Sequence, residues 1–183
     1  MAQPKYTFAE IDKSHKAGKK QFDCGNEKVN DYLNKLAYQH HLKRVCEIRI
    51  LSEAGSELPI GYYGITVQTF PVEDIPEDIQ KSLGVPSKTS LRCGELAWFG
   101  VDKKHTGKGV GRLLWIDACR TFAKAAVNAA MIGLLVKPID DEAVKFWKTR
   151  EFRQLTDDPF DYWFIPTKTI LQLLSETGIE IPN

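Results

Sequence analysis

Apolar and polar positions along this chain change period several times, and each change marks an element. Tyr6, Phe8 and Ile11 predict a short first strand. Val29, Tyr32, Leu33, Leu36, Ala37 and His40 then recur at helical spacing and predict one amphipathic helix, opened by the turn residue Gly25 and the cap residue Asn26. Val45–Leu51 and Leu58–Gln68 read as two strands joined by a hairpin turn over 53–57. From Glu95 to Val101 a strand would put Glu95, Ala97, Phe99 and Val101 on one side and Leu96, Trp98 and Gly100 on the other. The turn Gly107-Lys108-Gly109-Val110-Gly111 follows, and Val110, Leu113, Leu114, Asp117, Ala118, Thr121 and Phe122 return to the helical period. Met131–Val136 suits a buried strand, and Asp140 or Asp141 can cap a helix carrying Ala143, Phe146 and Trp147. Phe152–Leu155 and Tyr162–Ile165 read as a last strand pair, stopped at Pro166, after which Thr167 would cap a helix burying Ile170, Leu171 and Leu174. The sum is α/β (or α+β): strands and helices around one mixed sheet.

The remaining stretch, 69–90, carries Pro71, Pro76 and Pro86 with a short helix near Glu77–Leu83. A connection of that length is commonly functional. At 183 residues one domain, 1–183, is expected, long enough to bury a core. Lys and Arg number 25 against 24 Asp and Glu, so a net charge of +1 makes no global case for nucleic acid. The one local basic cluster is Lys13, His15, Lys16, Lys19 and Lys20. It reads either as a solvated face or as a dock for an acidic or phosphate-bearing acceptor. No apolar run approaches a membrane span, and the N-terminus lacks a signal-peptide core. Cys24, Cys46, Cys93 and Cys119 are scattered, which fits reduced thiols and a cytoplasmic location. His15, His40, His41 and His105 form no zinc-ligand pattern, and no metal is expected.

Strand, glycine turn and helix start make a place for phosphate. Glycines let backbone N–H groups approach an anion, and the helix start adds partial positive charge. Lys103, Lys104, Lys108 and Arg112 add fixed charge. The P-loop pattern fails, with Asp102 at its first glycine and Gly109 at its Ser/Thr. The dinucleotide pattern fails too, with Arg112 or Leu114 at its last glycine. What remains, Thr106-Gly107-Lys108-Gly109-Val110-Gly111, resembles the pyrophosphate loop of the GNAT superfamily of N-acetyltransferases, Q/R-x-x-G-x-G/A, with Thr106 in place of Gln or Arg. A second segment, Asp140 to Phe152, is similar to that superfamily's N-x-x-A-x-x-F-Y-x-x-x-G-F. Ala143, Phe146 and Phe152 match it, whereas Asp140, Trp147 and Glu151 depart from it.

The resemblance implies a GNAT fold, a mixed central sheet whose strand ending at Val101 splays from Met131–Val136 so that acetyl-CoA enters between them. Phe99, Gly100 and Val101 would offer backbone N–H groups to the pantetheine and the thioester carbonyl. Thr106 to Arg112 would hold the pyrophosphate, and Ala143 and Phe146 would lie beside the cofactor. Glu95, six residues before Val101, sits where some members carry their general base. Burial among Leu96, Trp98 and Phe99 would raise its pKa toward neutrality. Trp147 takes the place of the usual general acid, a tyrosine, and an indole N–H is no acid. Tyr162, Tyr62, Tyr63 or water would then protonate the thiolate, with Tyr162 the expected catalytic partner of Glu95. The connection 69–90 would lie beside the acceptor.

The expected activity is acetyl transfer from acetyl-CoA to a primary amine of an unspecified acceptor. The segment Phe22-Asp23-Cys24-Gly25-Asn26, with Val29, Asn30, Tyr32, Leu33, Ala37 and Gln39, is similar to acetyltransferases paired with ribbon-helix-helix antitoxins. That branch acetylates aminoacyl-tRNA and stands as the alternative, bringing an antitoxin partner; nucleic acid is admitted but not favoured, and a homodimer is compatible. A weakly catalytic acyl-CoA-binding module is the remaining alternative.

Overall fold

The computed structural model describes residues 5–84, 86 and 88–178. Seven strands follow the order β1-β2-β3-β4-β5-β7-β6. They are β1 (Tyr6–Glu10), β2 (Glu47–Glu53), β3 (Pro59–Pro71), β4 (Ser90–Val101), β5 (Gly133–Val136), β6 (Arg153–Gln154) and β7 (Trp163–Pro166). The β4–β5 pair is parallel, whereas β1–β2, β2–β3, β5–β7 and β6–β7 are antiparallel, so the sheet is mixed as expected. Helices α1 (Glu27–Lys35), α2 (Ala37–Leu42), α3 (Glu77–Leu83), α4 (Val110–Ala129), α5 (Asp141–Lys148) and α6 (Thr167–Glu176) flank it. The chain groups into two compact units, Met1–Thr66 with Ala97–Ala118, and Val67–Leu96 with Cys119–Asn183.

In the first unit, Ile48 and Ile50 of β2 alternate inward and meet Val29, Tyr32 and Leu33 of α1 in one core. Asn26 caps α1 by accepting a hydrogen bond from Val29 N at 3.2 Å. The single helix expected from 29 to 40 is two. The backbone is distorted at Leu36 (φ −118°, ψ −33°), which turns Leu36 out to 45% exposure and makes His41, not His40, the buried histidine. Tyr32 accounts for part of this: its ring stacks on Trp98 at 3.7 Å, and its hydroxyl meets His40 Nδ1 at 3.2 Å. Helix α4 is held by a polar knot in which Asp117 accepts from Tyr63 Oη at 2.7 Å and from Arg49 Nε at 3.4 Å. The basic cluster is not one solvated face, because Lys19 is buried while Lys13, Lys16 and Lys20 are exposed. Burial first, and the charge of Lys16 second, push the Lys19 pKa down.

In the second unit, the described residues of the long connection carry regular structure. β3 runs on to Pro71, a 3₁₀ turn spans Val72–Asp74, and Val72 N donates to Thr89 O at 2.9 Å. Ile75 and Ile79 pack with Cys93, Leu135 and Phe164, and Arg153 pairs with Asp78 of α3. Thr167 does not cap α6 but begins it, and its hydroxyl donates to Met131 O at 2.7 Å, while Leu171 is only half-buried. Gly133 explains how β5 fits beside β7. A Cβ there would lie 2.2 Å from the Phe164 ring and 2.6 Å from Ile165 O. Gly133→Ala should therefore destabilise the protein by about 1–3 kcal/mol through overpacking. The check is chemical denaturation, with a lower midpoint and an unchanged slope.

Candidate active site

The glycine turn is built from its root upward. Asp102, 6% exposed, follows β4 and anchors it. Its Oδ2 accepts from Asp23 N at 3.1 Å, its Oδ1 from Lys104 N at 2.9 Å, and its own N–H donates to Ile60 O at 2.9 Å. Asp23 completes the clamp: its carbonyl accepts from Lys103 N at 2.9 Å, and its carboxylate meets Lys103 Nζ at 3.1 Å. The Gly25 N–H first, then Lys103 and Asn30, hold the Asp23 carboxyl down at about 2. The segment Phe22–Asn26, met in the sequence as a capped turn, thus braces the root of the glycine loop. A 3₁₀ turn over Lys103–His105 leads into Gly107 (φ 75°) and Gly109 (φ 81°), values that favour glycine.

Gly109 O accepts from Arg112 N and Leu113 N, each at 3.1 Å, which starts α4. The first-turn N–H groups of a helix have no carbonyl above them and point outward, where they favour an anion. A Cβ built at Gly107 or Gly109 would meet nothing within 4 Å, so the space over the turn is open. Thr106, Lys108 and Arg112 are exposed around it, and Val110 is buried as the anchor of the helix. An open, glycine-lined helix start with cations at its rim fits a pyrophosphate.

A second group forms at Glu95, in the middle of β4. The parallel register among the described residues comprises Gly94↔Leu134 and Glu95↔Leu135, and β4 continues to Val101. Glu95 is half-buried, and Tyr162 Oη donates to its Oε1 at 3.4 Å. Burial raises the Glu95 pKa above the ordinary carboxylate value, opposed in part by the Tyr162 hydrogen bond and the charge of Lys137. Lys137, the residue after β5, holds Nζ 5.1 Å from the centroid of the Tyr162 ring and pairs with Asp161 at 3.1 Å. Phe70 packs edge-on to Tyr162 at 5.8 Å. A cleft of about 440 Å³ opens here, lined by Phe70, Asp74, Thr156, Asp161 and Tyr162.

The structure thus brings Glu95 and Tyr162 together, and it separates the other tyrosines from any acid role. Tyr62 is fully buried and donates to Val29 O at 2.7 Å, and Tyr63 is committed to Asp117. Trp147 is 5% exposed, edge-on to Phe146 at 4.8 Å and to Phe152 at 5.3 Å, and so serves an aromatic core. Ala143 and Phe146 are half-buried on α5, with Arg150 stacked 3.3 Å over the Phe146 ring. Phe99 and Val101 are half-buried and Gly100 is buried at the end of β4. Sequence reasoning missed Asp23 and Asp102, whose clamp joins residues 79 apart, and the Lys137, Asp161 and Phe70 surroundings of Tyr162. The only available signal was position: Lys137 directly follows the buried apolar run, and Asp161 directly precedes Tyr162.

Among the described residues, Glu10, His41 and Glu47 also gather metal-ligating atoms. His41 Nδ1 accepts the Ile48 N–H at 3.3 Å, and its Nε2 lies 3.6 Å from Glu10. No helix among these residues is long and apolar enough to cross a membrane.

Comparison with known proteins fits the geometry. The chain is 26% identical over 138 residues to a tRNA-acetylating toxin of Mycobacterium tuberculosis, covering 75% of this chain and 80% of that one. It is 24% identical over 160 residues to a probable toxin TacT of Sinorhizobium fredii, covering 84% and 87%. Among solved structures, a tyrosine-to-phenylalanine mutant of KacT superposes with a TM-score of 0.84 at 26% identity, covering 93% of this chain and 99% of that one. AtaT complexed with acetyl-methionyl-tRNAfMet superposes at 0.79 with 25% identity, covering 92% and 99%. The model of the acetyltransferase (GNAT) family matches residues 19–152. That match spans more than half of the chain, so this chain belongs to the acetyltransferase (GNAT) family and is an N-acetyltransferase that uses acetyl-CoA.

Proposed function

We propose that this chain, as one N-acetyltransferase domain, acetylates the α-amino group of aminoacyl-tRNA. The observation that carries the reading is its likeness to the tRNA-acetylating toxin over three-quarters of its length, supported by the AtaT complex with an acetylated aminoacyl-tRNA. This reverses the order of acceptors expected from the sequence, where Trp147 in place of the motif tyrosine, Glu95 and a net charge of +1 argued for an unspecified amine. Net charge is a weak guide here, because an acceptor stem needs only a local basic patch, and Lys13, Lys16 and Lys20 are exposed in one short segment. The same reading carries an antitoxin partner with it.

Each residue has a stated part. Thr106 to Arg112 bind the pyrophosphate of acetyl-CoA, which supplies the activated acetyl group. Ala143 and Phe146 flank the cofactor. The backbone N–H groups of Phe99, Gly100 and Val101 hold the pantetheine and the thioester oxygen as it gains negative charge. Glu95 takes the proton of the attacking amine as the N–C bond forms. Tyr162 gives its hydroxyl proton to the departing thiolate as the C–S bond breaks, and recovers one from Glu95 through their hydrogen bond. The relay returns both side chains to their starting state. It also explains how the chain manages with Trp147 in its aromatic core.

Three outcomes follow from these roles. Gly109→Asp should weaken acetyl-CoA binding at least tenfold, because it sets a negative charge where the pyrophosphate lies; calorimetry with the intact cofactor reads this. Glu95→Gln should lower turnover by about 10²–10⁴ with little change in cofactor affinity. A base works deprotonated, and burial raises the Glu95 pKa. The acid limb of kcat/KM should therefore lie above the ordinary carboxylate range and disappear in Glu95→Gln. Offered charged tRNA and free amines together, the enzyme should place acetyl on the aminoacyl group, seen by mass spectrometry after deacylation. That reaction should fall steeply with salt and in the triple variant Lys13→Glu, Lys16→Glu, Lys20→Glu. Acetylation of free amines alone would restore the unspecified-amine reading.

A further inference from the structure

The roles above use the hydroxyl of Tyr162 and leave its ring unexplained. That ring is one wall of the cleft of about 440 Å³, with Phe70, Asp74, Thr156 and Asp161 as the others. Its hydroxyl reaches Glu95, so the cleft begins where the proposed base ends. An acceptor whose α-amine meets Glu95 must put its side chain in the adjoining space. The volume is ample for one amino-acid side chain, and size is not what selects.

Charge is. Two lining residues, Asp74 and Asp161, are carboxylates. Asp74 is exposed at the end of the 3₁₀ turn Val72–Asp74. Asp161 is paired with Lys137, which keeps its pKa low and its charge present across the working range. Thr156 turns its hydroxyl to Asp161 Oδ2 at 3.4 Å. Lys137 is the ammonium that answers Asp161, it sits 5.1 Å from the centroid of the Tyr162 ring, and it is not in the lining, which leaves Asp74 as the lining carboxylate open to a ligand. The two rings, Phe70 and Tyr162, offer apolar faces for a methylene stem and a negative π surface for a cation.

Resting on the aminoacyl-tRNA reading, we propose that this cleft selects the acceptor by charge: it takes a long aminoacyl side chain ending in a cation, as in lysyl and arginyl esters, and disfavours acidic ones. The stem lies against Phe70 and Tyr162, and the head reaches Asp74. One such pair at a partly solvated site is worth roughly a factor of ten in relative rate.

The test compares tRNAs charged with lysine, arginine, methionine and glutamate in single-turnover acetylation, scored as rate ratios within one enzyme preparation. Ratios are unaffected by loss of folded protein. Wild type should acetylate lysyl and arginyl esters about tenfold faster than glutamyl. Asp74→Asn should narrow that ratio and Asp74→Lys should reverse it. Equal ratios in all three enzymes, or a wild-type preference for glutamyl or methionyl, overturn the proposal. If no charged tRNA is acetylated, the acceptor reading has failed, and lysinamide, norleucinamide and the α-amide of glutamic acid are offered instead. A lysinamide preference lost in Asp74→Lys then sustains charge selection by itself. Equal rates among the three amides, or no reaction with any, overturn it.

Discussion

Much of this site depends on how short the parallel pairing between β4 and β5 is. The recorded register covers Gly94↔Leu134 and Glu95↔Leu135, and β4 goes on to Val101. That brief pairing is held by close packing: a Cβ at Gly94 would lie 2.6 Å from the Phe122 ring and 3.0 Å from Leu134. Glu95 is consequently the last residue held in register, and it is half-buried there. A carboxylate in that position is desolvated enough to be a stronger base than a surface glutamate, yet it keeps a hydrogen bond from Tyr162.

The glycine turn obeys a separate local constraint. Asp102 is buried, and its side-chain oxygens find partners there because Asp23 N and Lys104 N both donate to them. Those bonds direct the chain out of β4 into the 3₁₀ turn and then into the two glycines of positive φ. The N-terminal segment Phe22–Asn26 thereby braces the root of the glycine turn. Its Asp23 is tied to Lys103, so one lysine near the loop is partly neutralised while Lys108 and Arg112 remain exposed.

The placement of the aromatic side chains follows burial rather than motif position. Trp147 stands at the motif's tyrosine and goes to an aromatic core with Phe146 and Phe152. Tyr162, outside either motif, is the phenol that meets a carboxylate of raised pKa.

The sequence by itself determined most of the elements, the family and the glycine turn before α4. These rest on local rules: glycines where φ must be positive, an aspartate at position 140 accepting from Ala143 N at a helix start, and apolar spacing matched to helix or strand. It also placed Glu95, because one strand's alternation and one motif's spacing suffice for that. Tertiary structure decided everything that joins distant segments. It broke the first helix at Leu36, because Tyr32 had to meet Trp98 and His40. It buried Lys19 within an apparently solvated cluster, and it chose Tyr162 over Tyr62 and Tyr63. Local periodicity reports which face of a segment is apolar, but not which other segment will cover it. The hydrogen-bond partner and the desolvation that turn a tyrosine or a glutamate into a reagent come from that second segment.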